Sequence, residues 1–241
     1  MRPTGTGSAA RNLARLRGGR LLHPRGRSFT ATAELWGPPA DAVADGPGRY
    51  RATVRLSRGV PTPQGWPDVL GLAVRLHRPA GPVDLLVSTS GSSPLLRHLP
   101  LPRRDFAGPY SSIASYRRGR QRIYLAALAD RPLGSTLDSV GSLAAQGAAR
   151  LRLATASATG LWQPFARITL GDPLTAATDA ALGFDPIGNH PPGLLPAGPV
   201  QRLRAATYPV SRRARGAAGN QPGPGQEQVA GDGPPQPGPQ P

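Results

Sequence analysis

The sequence predicts an α+β protein whose core is an antiparallel β-barrel flanked by helices. Three observations predict it: short strand-like segments recur along the chain, Gly/Pro turns separate them, and helical periodicity is confined to three stretches in the second half. Arg51 to Ser57 alternates with period two, Leu72 to Leu76 is a short apolar β run, and Val83 to Thr89 follows a Gly-Pro turn. Arg122 to Leu128, Arg150 to Thr155 and Phe165 to Leu170 have the same length and character. Gly46-Pro47-Gly48, Pro63-Gln64-Gly65 and Pro79-Ala80-Gly81-Pro82 punctuate them. Strands at this spacing close most simply into a barrel. Helices are expected over Leu137 to Ala149, Leu174 to Leu182 and around Val200 to Arg215.

The organisation is tripartite. Residues 1–19 are small and basic and read as a flexible arm. Residues 20–215 are patterned and long enough for one core, hence one domain. Residues 216–241 are Gly, Pro and Gln with PGP and PQP repeats, a composition that buries too little apolar surface to offset ordering entropy.

Composition closes several routes. Without cysteine there are no disulfides, no thiolate-ligated haem, no iron–sulfur clusters and no Cys-based zinc sites. His23, His77, His98 and His190 show no HxxxH or HExxH spacing, so a histidine metal cluster is not expected. No apolar run approaches the roughly 18–20 residues that span a bilayer, and Arg11 to Leu22 lacks the hydrophobic stretch of a secretory signal. A soluble, cytoplasmic protein is expected. Net charge is +16 and all 29 basic residues are arginine. The arginines are spread from Arg2 to Arg215 without a dominant block, and aromatics are 5%. Zinc-finger spacing and RNP-like aromatic strands are absent, so no specific nucleic-acid partner is expected.

One segment carries chemistry. Arg204 stands one helical turn before Tyr208, so on a helix its guanidinium can lie against the phenol and favour the phenolate. A tyrosinate is an axial ligand for ferric haem. Phe184-Asp185-Pro186, Pro191-Pro192-Gly193, then Arg204-Ala-Ala-Thr-Tyr208-Pro209 with Arg213 and Arg215 beyond resembles the proximal segment of haem catalases. Other segments follow in the family's order. His23-Pro24-Arg25-Gly26 with Phe29, preceded by Arg20, is similar to the distal histidine segment, and Val54-Arg55-Leu56-Ser57 to the VRFS strand. Asp68-Val69-Leu70-Gly71-Leu72-Ala73-Val74-Arg75 resembles DPRGFAVK, and Asp84-Leu85 falls where the family has WDLVGNN.

The resemblance implies a closed barrel of the catalase type with haem b, and its iron, held between barrel and helices. Tyr208 would be the metal ligand and Arg204 its partner. Arg20, Arg55 and Arg215 would bind the haem propionates, for which the planar guanidinium fork is suited. His23 would be the acid/base that moves a proton from one peroxide oxygen to the other, and Ser57 would hold its far nitrogen. Where the family has a distal asparagine, Ser88-Thr89-Ser90 stands, and Thr89 is the hydroxyl assigned to substitute for it. Phe106 is the aromatic assigned to stack on the haem, with Trp66 and Phe29 as competitors. The chain lacks the long wrapping segment of large catalases and resembles the compact catalase-related proteins of bacteria. The implied activity is catalase-like or peroxidase-like oxidoreduction of hydrogen peroxide or an organic hydroperoxide, with homo-oligomerisation open. Two other readings stand beside it: a catalase-fold protein without catalysis, and a basic nucleic-acid-binding protein.

Overall fold

The computed structural model describes residues 25–59, 63 and 65–198. Strands β1 (Arg25–Leu35), β2 (Gly48–Arg58), β3 (Leu70–His77) and β4 (Val83–Thr89) form an antiparallel meander. The two-residue β5 (Tyr110–Ser111) follows, then β6 (Tyr116–Arg118), β7 (Gln121–Ala129), β8 (Arg150–Ser157), β9 (Gln163–Pro173) and β10 (Leu195–Pro196). The pairing runs β1-β2-β3-β4-β5-β7-β8-β9 and returns to β1, closing a barrel of eight antiparallel strands; β6 and β10 extend it outside the ring. Closure removes the sheet edges that would otherwise expose unpaired backbone groups.

Alternation decides which side chains fill the barrel. Phe29, Ala33 and Leu35 of β1, Val54 and Leu56 of β2, Leu72, Val74 and Leu76 of β3, and Val83, Leu85 and Val87 of β4 all belong to one core cluster. Leu125, Leu151, Leu153, Ile168 and Leu170 complete it from the other side. The register puts like with like, for example Phe29 opposite Val54 and Val74 opposite Leu85. The lumen is therefore packed: the space between Val74, Leu85, Leu125 and Phe165 is about 10 Å³, no more than a single water needs.

Three helices lie outside the barrel among the described residues: α1 (Pro38–Val43), α2 (Leu137–Ala145) and α3 (Ala176–Ala181). Thr136 caps α2 by accepting from the Ser139 N–H (3.0 Å), and Thr175 caps α3 by accepting from the Thr178 N–H (3.2 Å). The helix expected over Leu137 to Ala149 stops at Ala145, because Gly147 enters the left-handed region at φ 64°. The helix expected over Leu174 to Leu182 is shortened to Ala176–Ala181. The stretch around Val200 to Arg215 lies outside the described residues, as do the 1–19 and 216–241 segments.

Candidate functional site on the outer wall of β1–β4

The even-odd alternation that buries Val54 and Leu56 turns Arg55 and Ser57 to the outer face of β2. The lumen is apolar, and Arg55 lies outside it, under α3. There its Nε is 3.4 Å from Asp179 Oδ1, and Ser28 Oγ on β1 donates to the same carboxylate oxygen. Both side chains of the Arg55–Asp179 pair are largely buried. A Cβ on Gly26 would come within 2.6 Å of the Arg55 guanidinium, so only glycine lets that side chain lie flat against β1.

Beside this pair the wall is made of small residues. Register carries one row across five strands: Gly26 opposite Ser57, Ser57 opposite Gly71, Gly71 opposite Ser88, and Ser88 opposite Ser111. No side chain in the row exceeds a hydroxymethyl group. Ser57 is buried, and its hydroxyl makes a long contact of 3.4 Å to the Gly71 carbonyl.

The next feature along the wall is a buried carboxylate. Asp84 is fully buried and accepts from Arg75 through both oxygens (2.7 and 2.7 Å), from the Asp185 backbone N–H (2.7 Å) and from Asn189 Nδ2 (2.9 Å). Arg75 also donates to the Gly183 carbonyl and sits 5.1 Å from the Phe184 ring centre. Hence Phe184-Asp185-Pro186 is docked on the barrel wall by the charge pair of β3 and β4. Farther on, the Gly193 N–H donates to the Ala42 carbonyl of α1 at 2.9 Å, and a Cβ on Gly193 would stand 2.7 Å from the Ala42 Cα. Phe184-Asp185-Pro186 and Pro191-Pro192-Gly193 thus act as anchors that route the chain along the barrel. At the end of this row His77 Nε2 lies 2.9 Å from Thr53 Oγ1; desolvation, then Arg75 and Arg51, hold the His77 pKa below its ordinary value.

The remaining site residues distribute as follows. Thr89 faces the lumen side of β4, where its Oγ1 accepts from the Leu70 N–H at 3.0 Å, so it does not share a face with Ser57; Ser88 does. Phe106 is fully buried in the core cluster, its carbonyl accepting from the Tyr110 hydroxyl at 2.8 Å. Phe29 is in the lumen, and Trp66 is 63% exposed with its carbonyl bound by Arg58. None of the three aromatics belongs to the small-residue row. Arg20, His23, Arg204, Tyr208 and Arg215 lie outside the described residues. Among the described residues no three His, Asp or Glu side chains come together to hold a metal ion.

Ser28, Ser88 and Asp179 were not among the candidates. For Asp179 a signal existed, since it is the one charge in the apolar helix AATDAA and Arg55 required a partner. For Ser88 the parity of β4 decides, and counting from the buried Leu85 and Val87 would have selected it over Thr89.

As to a haem, the described residues fit a flat group on this wall. They offer a row without bulk along β1–β4 and a buried guanidinium beside it; that guanidinium is already paired to Asp179, and at β5 the row ends under the 3₁₀ turn Leu96–His98, where the buried Ser111 hydroxyl donates to the Arg97 carbonyl.

No protein-family model and no curated protein matches the sequence. Solved structures do. A fungal catalase superposes with a TM-score of 0.61 at 13% identity, covering 81% of this chain and 59% of its own. Catalase A from Saccharomyces cerevisiae gives 0.62 at 12%, covering 81% and 61%. The chain therefore spans about three-fifths of the length of these catalases, and the fold it carries is the closed antiparallel barrel of the catalase type.

Proposed function

We propose that the protein is a haem-dependent oxidoreductase acting on hydrogen peroxide or an organic hydroperoxide, a compact relative of the catalases. The observation that carries the reading is the catalase-type barrel bearing, on the outer wall of β1–β4, Arg55 and Ser57 beside a row of small residues. Haem b bound there would supply a ferric iron at which the peroxide O–O bond breaks. Tyr208 is the proposed iron ligand, with Arg204 favouring its phenolate. His23 is the proposed acid/base beside the Ser57 hydroxyl, as the resemblance to the catalase distal segment implies. In that position Ser57 orients the ring, and His23 takes a proton from one peroxide oxygen and returns it to the other. Arg20, Arg55 and Arg215 are the proposed partners of the two propionates; for Arg55 this means exchanging or sharing Asp179. Ser88 stands nearest to the role first assigned to Thr89. A cytoplasmic setting belongs to the same proposal.

A second reading has its own support: the pairing of Arg55 with Asp179 and the serine at the distal asparagine position suit a catalase-fold protein without catalysis. One experiment separates the two. The full chain, expressed with haem supply, is expected to show the absorption spectrum of tyrosinate-ligated ferric haem and to consume added peroxide. Tyr208→Phe should abolish stable haem binding. His23→Ala should keep the spectrum and slow peroxide cleavage by about 10²–10⁴-fold, the usual contribution of a positioned acid/base. An unchanged spectrum in Tyr208→Phe overturns the ligand assignment, and a colourless protein that refuses haemin transfers the conclusion to the second reading.

A further inference from the structure

At one end of β7, three segments meet that the outer-wall site does not use. The first is the 3₁₀ turn Leu96–His98 with its flanks, where Leu95 is 83%, Leu96 45% and Leu99 51% exposed. The second is the β8–β9 turn, where Leu161 is 83% exposed. They are locked together by Arg97, which is 1% exposed: its guanidinium donates to the Ser157 and Gly160 carbonyls (2.9 and 2.8 Å) and lies 4.3 Å from the Trp162 ring centre. The Trp162 indole N–H in turn donates to the Ser92 carbonyl at 2.8 Å. The exposed leucines are thus held out on a braced platform. A leucine four-fifths exposed has no packing role in the monomer.

The third segment is the β6–β7 hairpin, which carries Arg117, Arg118, Arg120 and Arg122, all exposed, around Gly119 at φ 58°. Arg117 stands directly opposite Arg122, an arrangement of like charges that costs stability. None of the four arginines forms an ion pair among the described residues. The hairpin adjoins the leucines. His98 meets the Tyr124 ring edge-on at 4.6 Å, Tyr124 is one same-face step from Arg122, and Ser157 pairs with Ile123.

We propose that this end of the barrel is a peripheral docking face for an anionic lipid surface, with the leucines entering the acyl boundary and the arginines meeting the headgroup phosphates. Charge complementarity selects this occupant. A second copy in a two-fold arrangement would bring the same arginine hairpin against itself on a chain of net charge +16. The chain's own ends fit no better: residues 1–24 hold five arginines and no acid, and residues 199–241 hold five arginines against Glu227 and Asp232. A nucleic acid would use the arginines but leaves the leucines unexplained, whereas apolar residues beside basic ones are what an interfacial anchor requires. The inference stands independently of the proposed activity.

The test is co-sedimentation of the full chain with phosphatidylcholine vesicles, with and without phosphatidylglycerol, at physiological salt. Binding to the anionic vesicles alone is expected. Arg118→Gln/Arg120→Gln/Arg122→Gln should weaken it by roughly a hundredfold, and Leu95→Ser/Leu161→Ser by roughly tenfold or more. Arg104→Gln/Arg131→Gln/Arg150→Gln, which removes the same charge at the opposite end of β7, should retain binding. The proposal is overturned by any of four results: no co-sedimentation; equal losses in the two arginine triples, which would mean unspecific charge; hairpin-dependent binding of a DNA oligonucleotide without binding of vesicles; or leucine-dependent self-association in the absence of lipid.

Discussion

Asp84 shows how much one residue organises here. A carboxylate with no exposure is tolerated only when its oxygens are fully used, and Asp84 spends them on Arg75, the Asp185 amide and the Asn189 amide. Asp84→Asn keeps the shape but removes the charge, leaving the Arg75 guanidinium without its bidentate partner. The expected loss is about 3–5 kcal/mol, read as a lower urea midpoint, because breaking one side of a buried pair strands the other. Replacing both partners, Arg75→Leu with Asp84→Leu, should recover part of that loss; a double variant weaker than the sum of the singles would mean that the contacts to residues 183–189 dominate.

Among the elements, the loops that carry family-like motifs are held by backbone geometry more than by side chains. Gly193 is the clearest case: Gly193→Ala forces a methyl into the Ala42 backbone of α1 and should cost about 1–3 kcal/mol in thermal or urea unfolding. If the proposed function holds, it should also loosen haem retention, since the same segment leads toward Tyr208. The element scale also explains what the sequence could disclose. Val83–Thr89 was legible to the residue because four of its seven side chains are apolar and a Gly-Pro turn precedes it. β5, β6 and β10 were not, since two or three residues cannot display a period, and α1 hides behind its Pro-Pro start. In β1 the alternation Phe29, Ala31, Ala33, Leu35 is present but faint, since two of its four side chains are single methyl groups. At the site, parity put Arg55 and Ser57 together on one face, while Thr89 and Phe106 were chosen by motif order, which carries no information about which face a side chain occupies.

The whole molecule is a small barrel with a large charge. Like charges distributed over one compact body repel, and salt relieves that repulsion within a Debye length of about 10 Å at 0.1 M. Raising sodium chloride from about 20 to about 300 mM is therefore expected to raise Tm by about 2–4 °C, the shift that ~1 kcal/mol produces in a domain of this size. A fall in Tm by calorimetry would instead mean that the wall's ion pairs, Arg55–Asp179 and Arg75–Asp84, outweigh the net charge.

The hoop itself is not uniformly strong. Seven of its staves are seven or more residues long, whereas β5 contributes two, holding β4 and β7 together through two register pairs on each side. Breathing motions concentrate where the fewest hydrogen bonds must open. That stave is Tyr110–Ser111, and Ser111 ends the row that begins at Gly26. The barrel's slackest joint and its smoothest stretch of wall are therefore neighbours, so a guest settling on that wall would tighten the hoop at its loosest point.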